Sequence, residues 1–156
     1  MKPLNFVDPT AVVDPTASIW HFAVILAGVT ISEHCSIGSH AEIGCGTYIG
    51  PRARISHGVF LPSGSTIGSD VFIGPSVVFT DDRYPKAGNK SYYAQPPTIC
   101  DGASIGAGAV ILPGITIGSN ALIGAGAIVT HDVPPSGHIR GEPARIKALF
   151  QPLVHT

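Results

Sequence analysis

The chain has 156 residues, of which 12% are charged, and its formal net charge is -1. This length fits one domain, and 19 glycines with 14 prolines exclude a helical bundle, because both residues disfavour helices. The 44% of hydrophobic residues excludes intrinsic disorder, and the near-neutral charge gives no basic surface for nucleic acid. We therefore expect a folded protein without a nucleic-acid partner.

The beginning of the chain has no apolar segment typical of a secretory signal, and the longest apolar run, residues 19–31, is too short to span a membrane. The three cysteines form no CxxC pair and are odd in number. We therefore expect a cytoplasmic protein with reduced thiols, no membrane partner and no metal.

An apolar residue recurs at every sixth position from Val7 to Phe79, and again from Ile99 to Val129. Fourteen of the eighteen isoleucines lie on this register, and a glycine often follows the register position. A period of six fits a short strand followed by a turn, in which each strand pairs with its equivalent one coil later. The sequence therefore predicts an all-β fold, a parallel β-helix of about six coils.

Three hexads in each coil place equivalent residues 18 positions apart, so the register residues should stack in interior columns. One expected column contains Ile37, Ile55 and Ile73. A second expected column contains Ile25, Ile43, Leu61 and Phe79. The outer faces carry little charge, which favours side-by-side association, and a three-sided prism closes most readily as a homotrimer.

The register is interrupted once, between Phe79 and Ile99, where twenty residues replace the six expected. The segment 80–98 contains three of the nine basic residues and three of the four tyrosines. Long loops on a rigid scaffold often carry functional residues. We predict an extruded loop that contributes to a site, and the alternative is a tolerated surface insertion.

After Val129 the six-residue register ends, and the segment from Pro143 to Phe150 has the pattern of a short helix with proline near its first turn. Solenoids need their open ends covered. We therefore predict a β-helix over residues 1–130 and a capping segment with a short C-terminal helix over residues 131–156.

The hexads, the single loop and the ending Gly141-Glu142-Pro143-Ala144-Arg145 resemble the hexapeptide-repeat acyltransferases, whose fold is a left-handed β-helix. Ile19-Trp20-His21-Phe22 and the segment from Gly74 to Pro85 resemble, more narrowly, bacterial N-acetyltransferases of nucleotide-linked 3-amino sugars. The resemblance implies an acetyl-CoA-dependent enzyme without a metal. Its acceptor would be of the dTDP-3-amino-3,6-dideoxyhexose type, and its pathway the synthesis of surface polysaccharides such as lipopolysaccharide.

Candidate catalytic residues lie at the start of the loop. One carboxylate of Asp81 and Asp82 could orient the sugar amine and the other a neighbouring hydroxyl, while an Asx-type turn is the alternative role. Asp81 stands where the resembled enzymes usually have asparagine, and it either positions the amine or acts as general base. Other residues expected to bind the substrate are Ser63, which lies 18 positions before Asp81, Arg83 and Tyr93.

His57 is a second candidate base, because it projects from a corner that the loop of an adjacent subunit could reach. His21 lies 36 residues earlier in the same column, and Trp20 beside it could stack on a nucleobase. We expect both residues to bind the substrate. The alternatives are a solvated corner histidine and an aromatic cover for the first coil.

Small residues in the late coils leave a smooth backbone along which the pantetheine arm of coenzyme A could lie, and plain corner packing is the alternative. These residues are Gly106, Ala107, Gly124 and Ala125. The cationic side chains that follow suit the phosphates of coenzyme A. They belong to Arg140, Arg145 and Lys147.

Other functions on the same fold stay open. An O-acetyltransferase that acts on a sugar, serine or antibiotic hydroxyl is the main alternative. A γ-class carbonic anhydrase needs converging histidines, whereas His34 and His40 leave successive corners. A purely structural or ice-binding β-helix would show regular threonine ladders and no extruded loop.

Overall fold

The computed structural model describes residues 4–141 of the chain. Within this range twenty two-residue strands, numbered in chain order, form three parallel sheets along the sides of a triangular prism. The chain passes through the three sheets in turn, so that each strand up to β16 pairs with the strand three positions later, whereas β18 pairs with β20. The fold is therefore all-β, a parallel β-helix, and it is consistent with the left-handed β-helix that the resemblance implies.

The strands divide among the sheets in a fixed rotation. Sheet 1 contains β1 (Phe6–Val7), β4 (Val24–Ile25), β7 (Glu42–Ile43), β10 (Phe60–Leu61), β13 (Val78–Phe79), β16 (Val110–Ile111) and β19 (Ile128–Val129). Sheet 2 contains β2 (Val12–Val13), β5 (Thr30–Ile31), β8 (Tyr48–Ile49), β11 (Thr66–Ile67), β14 (Thr98–Ile99) and β17 (Thr116–Ile117). Sheet 3 contains β3 (Ser18–Ile19), β6 (Ser36–Ile37), β9 (Arg54–Ile55), β12 (Phe72–Ile73), β15 (Ser104–Ile105), β18 (Leu122–Ile123) and β20 (His138–Ile139).

Each hexad turns two side chains into the prism, the register residue and the smaller residue two positions before it. Ile43 and Ala41 form such a pair, and both are fully buried. The two predicted interior columns are confirmed, because Ile37, Ile55 and Ile73 follow one another in sheet 3. The second column lies in sheet 1, where Ile25, Ile43, Leu61 and Phe79 are all buried.

The corners depend on backbone geometry that the hexads supply. Most turns of the coil contain a residue with positive φ, and examples are Gly58 at +67° and His40 at +59°. At Gly38, which follows a register isoleucine, an added Cβ would lie 2.5 Å from the backbone nitrogen of His57. Successive coils therefore approach so closely at this corner that only glycine fits.

The solenoid is longer than the register predicts, with about seven turns rather than six. Val133 forms a bridge with Ile117, and Ile139 pairs with Ile123, so both partners are 16 residues apart rather than 18. The corner after Val129 is two residues shorter than the others, which moves the last side chains out of the six-residue register. The predicted C-terminal helix lies outside the described residues, and the capping segment 131–156 stays a prediction.

The insertion is an extruded loop, as the sequence predicts. Thr66 pairs with Thr98, a separation of 32 residues in place of 18, and residues 80–97 lie outside the strands. No helix within residues 4–141 is long and apolar enough to cross a membrane.

Candidate functional site

The predicted site residues lie at two different corners of the prism. The loop corner, between sheets 1 and 2, contains Ser63, Asp81, Asp82, Arg83 and Tyr93. The histidine corner, between sheets 3 and 1, contains Trp20, His21, His57, Gly106, Ala107, Gly124, Ala125 and Arg140. Arg145 and Lys147 lie outside the described residues, and their predicted contact with coenzyme A stays a prediction.

Asp81 is fixed by both its side chain and its backbone at the point where the loop leaves the coil. The Tyr92 hydroxyl donates a hydrogen bond to its Oδ2 at 2.7 Å, and the Gln95 amide donates to its carbonyl oxygen at 3.0 Å. The bond to Asp81 raises the pKa of Tyr92, because the carboxylate stabilises the protonated hydroxyl. The two ends of the loop are thus joined at Asp81.

Asp82 forms an Asx turn, the predicted alternative to a contact with the substrate. Its Oδ1 accepts a hydrogen bond from the Tyr84 amide at 2.8 Å, which is the contact of an Asx turn. Arg83 donates to the carbonyl oxygen of Pro113 at 3.4 Å and so faces the next coil. Of the two aspartates, Asp81 is therefore the better candidate for a substrate contact.

The returning end of the loop is held from both sides. Gly114 donates its amide to the Gln95 carbonyl at 2.8 Å, and Thr66 donates to the Pro97 carbonyl at 3.1 Å. These bonds connect the loop with the coils before and after it. The loop corner is therefore tied to the rigid coil at its root, although its outer tyrosines are exposed.

Ser63 lies one coil before the loop in the pairing register. The Phe60–Val78 pair aligns it with Asp81, and the Thr66–Thr98 pair aligns it with Gln95. Ser63 is exposed, and Tyr93 has 70% of its surface exposed. Their predicted roles in substrate binding stay predictions.

At the histidine corner, some aromatic residues of the first coil contact other residues at this end of the β-helix. The Leu4 amide donates to Nδ1 of His21 at 3.1 Å, and Phe22 stacks on His40 with ring centroids 5.1 Å apart. His57 is exposed and stands in the column of His21, two coils later, as the sequence predicts. Trp20 is 58% exposed.

The backbone groups of the late-coil glycines Gly106 and Gly124 form hydrogen bonds within the β-helix. Gly106 donates its amide to Ile123 at 2.8 Å, Gly124 donates to Ile139 at 2.7 Å, and the glycine carbonyl oxygens accept the bonds that close their own corners. The amides of these two glycines are therefore engaged within the coil, whereas each carbonyl oxygen can accept a second hydrogen bond. Their predicted contact with a pantetheine arm stays a prediction. The neighbouring Ala107 and Ala125 are exposed, and they are the better candidates for such contacts.

The loop corner and the histidine corner do not meet within one chain. They stand at opposite edges of sheet 1, and one side of the prism is a hexad long, roughly 20 Å at about 3.3 Å per residue. Groups that share one reaction must lie within hydrogen-bond reach of the same substrate. A site that uses both corners therefore needs a second copy of the chain.

Sequence reasoning missed two residues that the structure places beside the candidates. Tyr92 binds Asp81, but the sequence could not show which of the adjacent tyrosines turns toward the carboxylate. Arg54 lines a cleft of about 400 Å³ with Trp20 and His57. A signal for Arg54 was present, because it stands 18 positions after Ser36 on the outer face of the same sheet.

Two family models match this chain. One is described as "Bacterial transferase hexapeptide (six repeats)" and matches residues 96–131, and the other, "Hexapeptide repeat of succinyl-transferase", matches residues 28–62. Nodulation protein L of Rhizobium meliloti is 48% identical over 86 residues, which are 53% of this chain and 47% of that protein. The chain spans about half the length of the curated relatives it matches.

Solved structures show the same similarity. A maltose O-acetyltransferase from Clostridium difficile is 30% identical, with a TM-score of 0.55, over 74% of this chain and 70% of that chain. A perosamine N-acetyltransferase from Caulobacter crescentus, in complex with CoA and GDP-perosamine, is 28% identical, with a TM-score of 0.38. That match covers 94% of this chain and 57% of the other.

Proposed function

The chain belongs to the hexapeptide-repeat family of bacterial transferases, and we propose that it is an acetyltransferase that uses acetyl-CoA. The similarity to the Clostridium maltose O-acetyltransferase, which extends over most of both chains, supports the transfer of an acetyl group. Acetyl-CoA is a cytoplasmic metabolite, so the proposal places the protein in the cytoplasm.

The acceptor that we propose is the 3-amino group of a nucleotide-linked sugar, as in a dTDP-3-amino-3,6-dideoxyhexose made for a surface polysaccharide. The observation that carries this choice is Asp81, whose Oδ2 is engaged by Tyr92 and whose Oδ1 accepts no hydrogen bond from residues 4–141. A carboxylate fixed in this way can accept a hydrogen bond from a neutral amine and aim its lone pair. The likeness of the segment from Gly74 to Pro85 to such N-acetyltransferases supports the same acceptor.

The reaction then proceeds by direct transfer. The amine nitrogen attacks the thioester carbonyl, the new C–N bond forms, and the C–S bond breaks as the tetrahedral intermediate collapses. Coenzyme A leaves as a thiolate, and the proton lost by the nitrogen finally reaches this sulfur. A neutral amine needs little help from a base, so Asp81 acts by positioning, and no metal takes part.

The two corners combine if three chains pack around a threefold axis. In this arrangement the loop corner of one copy approaches the histidine corner of the next. The acceptor would then lie between Asp81 and His57 of two chains, with acetyl-CoA along the late coils near Ala107 and Ala125. The outward side of sheet 1, between the two corners, supports this contact because its column is apolar at every position except Glu42. This column consists of Phe6, Val24, Glu42, Phe60, Val78, Val110 and Ile128.

An O-acetyltransferase that acts on a sugar hydroxyl is the second candidate, and the similarity to maltose O-acetyltransferase favours it. A hydroxyl is a much weaker nucleophile than an amine and needs a general base. His57 would have to supply that base across the subunit contact. The two candidates therefore differ in their need for His57.

One experiment separates the candidates. The full chain is incubated with acetyl-CoA and either dTDP-3-amino-3,6-dideoxyglucose, its 3-hydroxyl counterpart, or maltose, and thiol release and product mass are followed. We expect one acetyl group on the amino sugar only. Transfer to a hydroxyl acceptor alone would support the second candidate, and failure to bind acetyl-CoA in calorimetry would contradict both.

A further inference from the structure

A cleft runs along the edge of sheet 3 beside the histidine corner. It has a volume of about 400 Å³, and its walls include Trp20, Ser36, Arg54, Ser56 and His57. A second cleft of about 500 Å³ adjoins the first, and Trp20 and Ser36 line both. Trp20 thus borders two open spaces, and 58% of its residue surface is exposed.

The solenoid assembles this cleft from three successive coils. Ser18, Ser36 and Arg54 follow one another across sheet 3 with their side chains outward, because the adjoining isoleucines point into the core. Trp20 follows the first of these strands. Two strand spacings, about 10 Å, therefore separate the coil of Trp20 from the coil of Arg54.

Arg54 is the charged group of the cleft, and its guanidinium is free among residues 4–141. The neighbouring Arg52 is neutralised by Asp70, with two contacts of 2.7 Å to the carboxylate oxygens. Within the described part of the chain no carboxylate lines the cleft of Arg54, whose other polar groups are the His57 ring and serine hydroxyls. Such a guanidinium suits a phosphate, which accepts two parallel hydrogen bonds from it.

We infer that this cleft binds the nucleoside diphosphate of the acceptor, with the base stacked on Trp20 and the diphosphate on Arg54. The aromatic wall and the cation stand about 10 Å apart, a separation that a nucleoside diphosphate spans from its base to its terminal phosphate. An exposed aromatic side chain offers a stacking surface that any base can use. The sugar would then continue along the corner past His57, toward the coils of Ala107 and Ala125.

This inference rests on the proposed function, because it assigns a place to the nucleotide part of the proposed acceptor. Trp20 is the single tryptophan of the chain, so its fluorescence reports directly on the cleft. We expect dTDP to change this fluorescence with a saturable curve. Arg54→Ala should weaken dTDP binding at least tenfold, since hydrogen bonds to charged groups contribute about 1.5–3 kcal/mol.

Two controls make the titration specific. Arg52→Ala removes the same charge two residues away, at a different corner, and should leave the affinity for dTDP unchanged. Thymidine has no phosphate, so it should bind the wild type and Arg54→Ala with equal affinity. Equal weakening of dTDP in both arginine variants would contradict the inference, because it would indicate a general charge effect. An unchanged affinity in Arg54→Ala would contradict it as well.

Acetyl-CoA distinguishes the failure of this inference from the failure of the proposed function. Coenzyme A should not displace dTDP from Trp20, and displacement would assign the cleft to the cofactor and overturn the inference. If the enzyme transfers acetyl groups but dTDP does not affect the fluorescence, the inference is wrong and the proposed function stands. If dTDP binds through Arg54 but acetyl-CoA does not bind, the proposed function is wrong and the nucleotide site stands.

Discussion

Substitutions of Asp81 test whether the proposed acetyl transfer needs a general base. If the carboxylate positions the amine, Asp81→Asn should keep much of the activity, because an amide oxygen also accepts a hydrogen bond, whereas Asp81→Ala should lose considerably more. The measurement is kcat/KM for the amino sugar against pH. A loss of 10²- to 10⁴-fold in Asp81→Asn, together with loss of the acidic limb, would instead identify a general base.

Tyr92 is expected to act through Asp81 rather than on the substrate. Tyr92→Phe removes the 2.7 Å hydrogen bond and should lower kcat about threefold to tenfold, without changing the KM for acetyl-CoA. Tyr84→Phe is the matched control, because Tyr84 lies in the same loop and is 78% exposed, and it should leave kcat unchanged. A similar loss in both variants would contradict the positioning role.

The pH dependence of the wild type provides a second readout of this bond. Asp81 raises the pKa of Tyr92 above its ordinary value of 10.0. The bond therefore contributes fully below pH 10 and is lost as the pH rises through the higher, folded value. We expect a decline of activity in that alkaline range for the wild type, and a smaller decline for Tyr92→Phe.

In each two-residue strand one side chain points into the prism and the other points outward. The effect of a substitution on the free energy of unfolding depends on which of the two is changed. Ile55 is 2% exposed, and Arg54 beside it points outward. Ile55→Ala should reduce the free energy of unfolding by about 2–5 kcal/mol, and Ile55→Asp should unfold the middle coils, because it buries an unpaired charge. Arg54→Ala should stay close to the wild type in urea denaturation, and comparable losses in the two alanine variants would contradict the inward and outward assignment.

The sequence predicts that the loop exists, but only the folded structure shows how the loop is attached to the coils. Its fourteen additional residues are visible as a gap in the register. The bonds that tie it to the coils, from Thr66 to Pro97 and from Gly114 to Gln95, connect residues of different coils. These contacts form only when the coils stack, so the register could not predict them.

For the whole molecule, the outward side of sheet 1 is the surface that we expect to form the trimer. Phe60→Asp places a charge in the middle of this face and should lower both the sedimentation coefficient and the activity. Tyr48→Asp is the matched control, since Tyr48 on sheet 2 has 43% exposure against 42% for Phe60. A fully active monomer at micromolar concentration would contradict the site shared between chains.

The six-residue period was enough to predict the β-helix, the interior columns and the place of the loop, because it leaves one way to bury every register residue, as Ile37, Ile55 and Ile73 show. The period did not predict that Asp81 and His57 stand at opposite edges of sheet 1, which follows from the stacking of the coils. The structure also showed that the Gly106 and Gly124 amides are engaged within the coil, and that among residues 4–141 Arg52 has a carboxylate partner whereas Arg54 has none. The physical reason is that periodicity fixes the direction of a side chain, whereas its neighbours depend on how the coils stack, which brings together residues 16 to 32 positions apart.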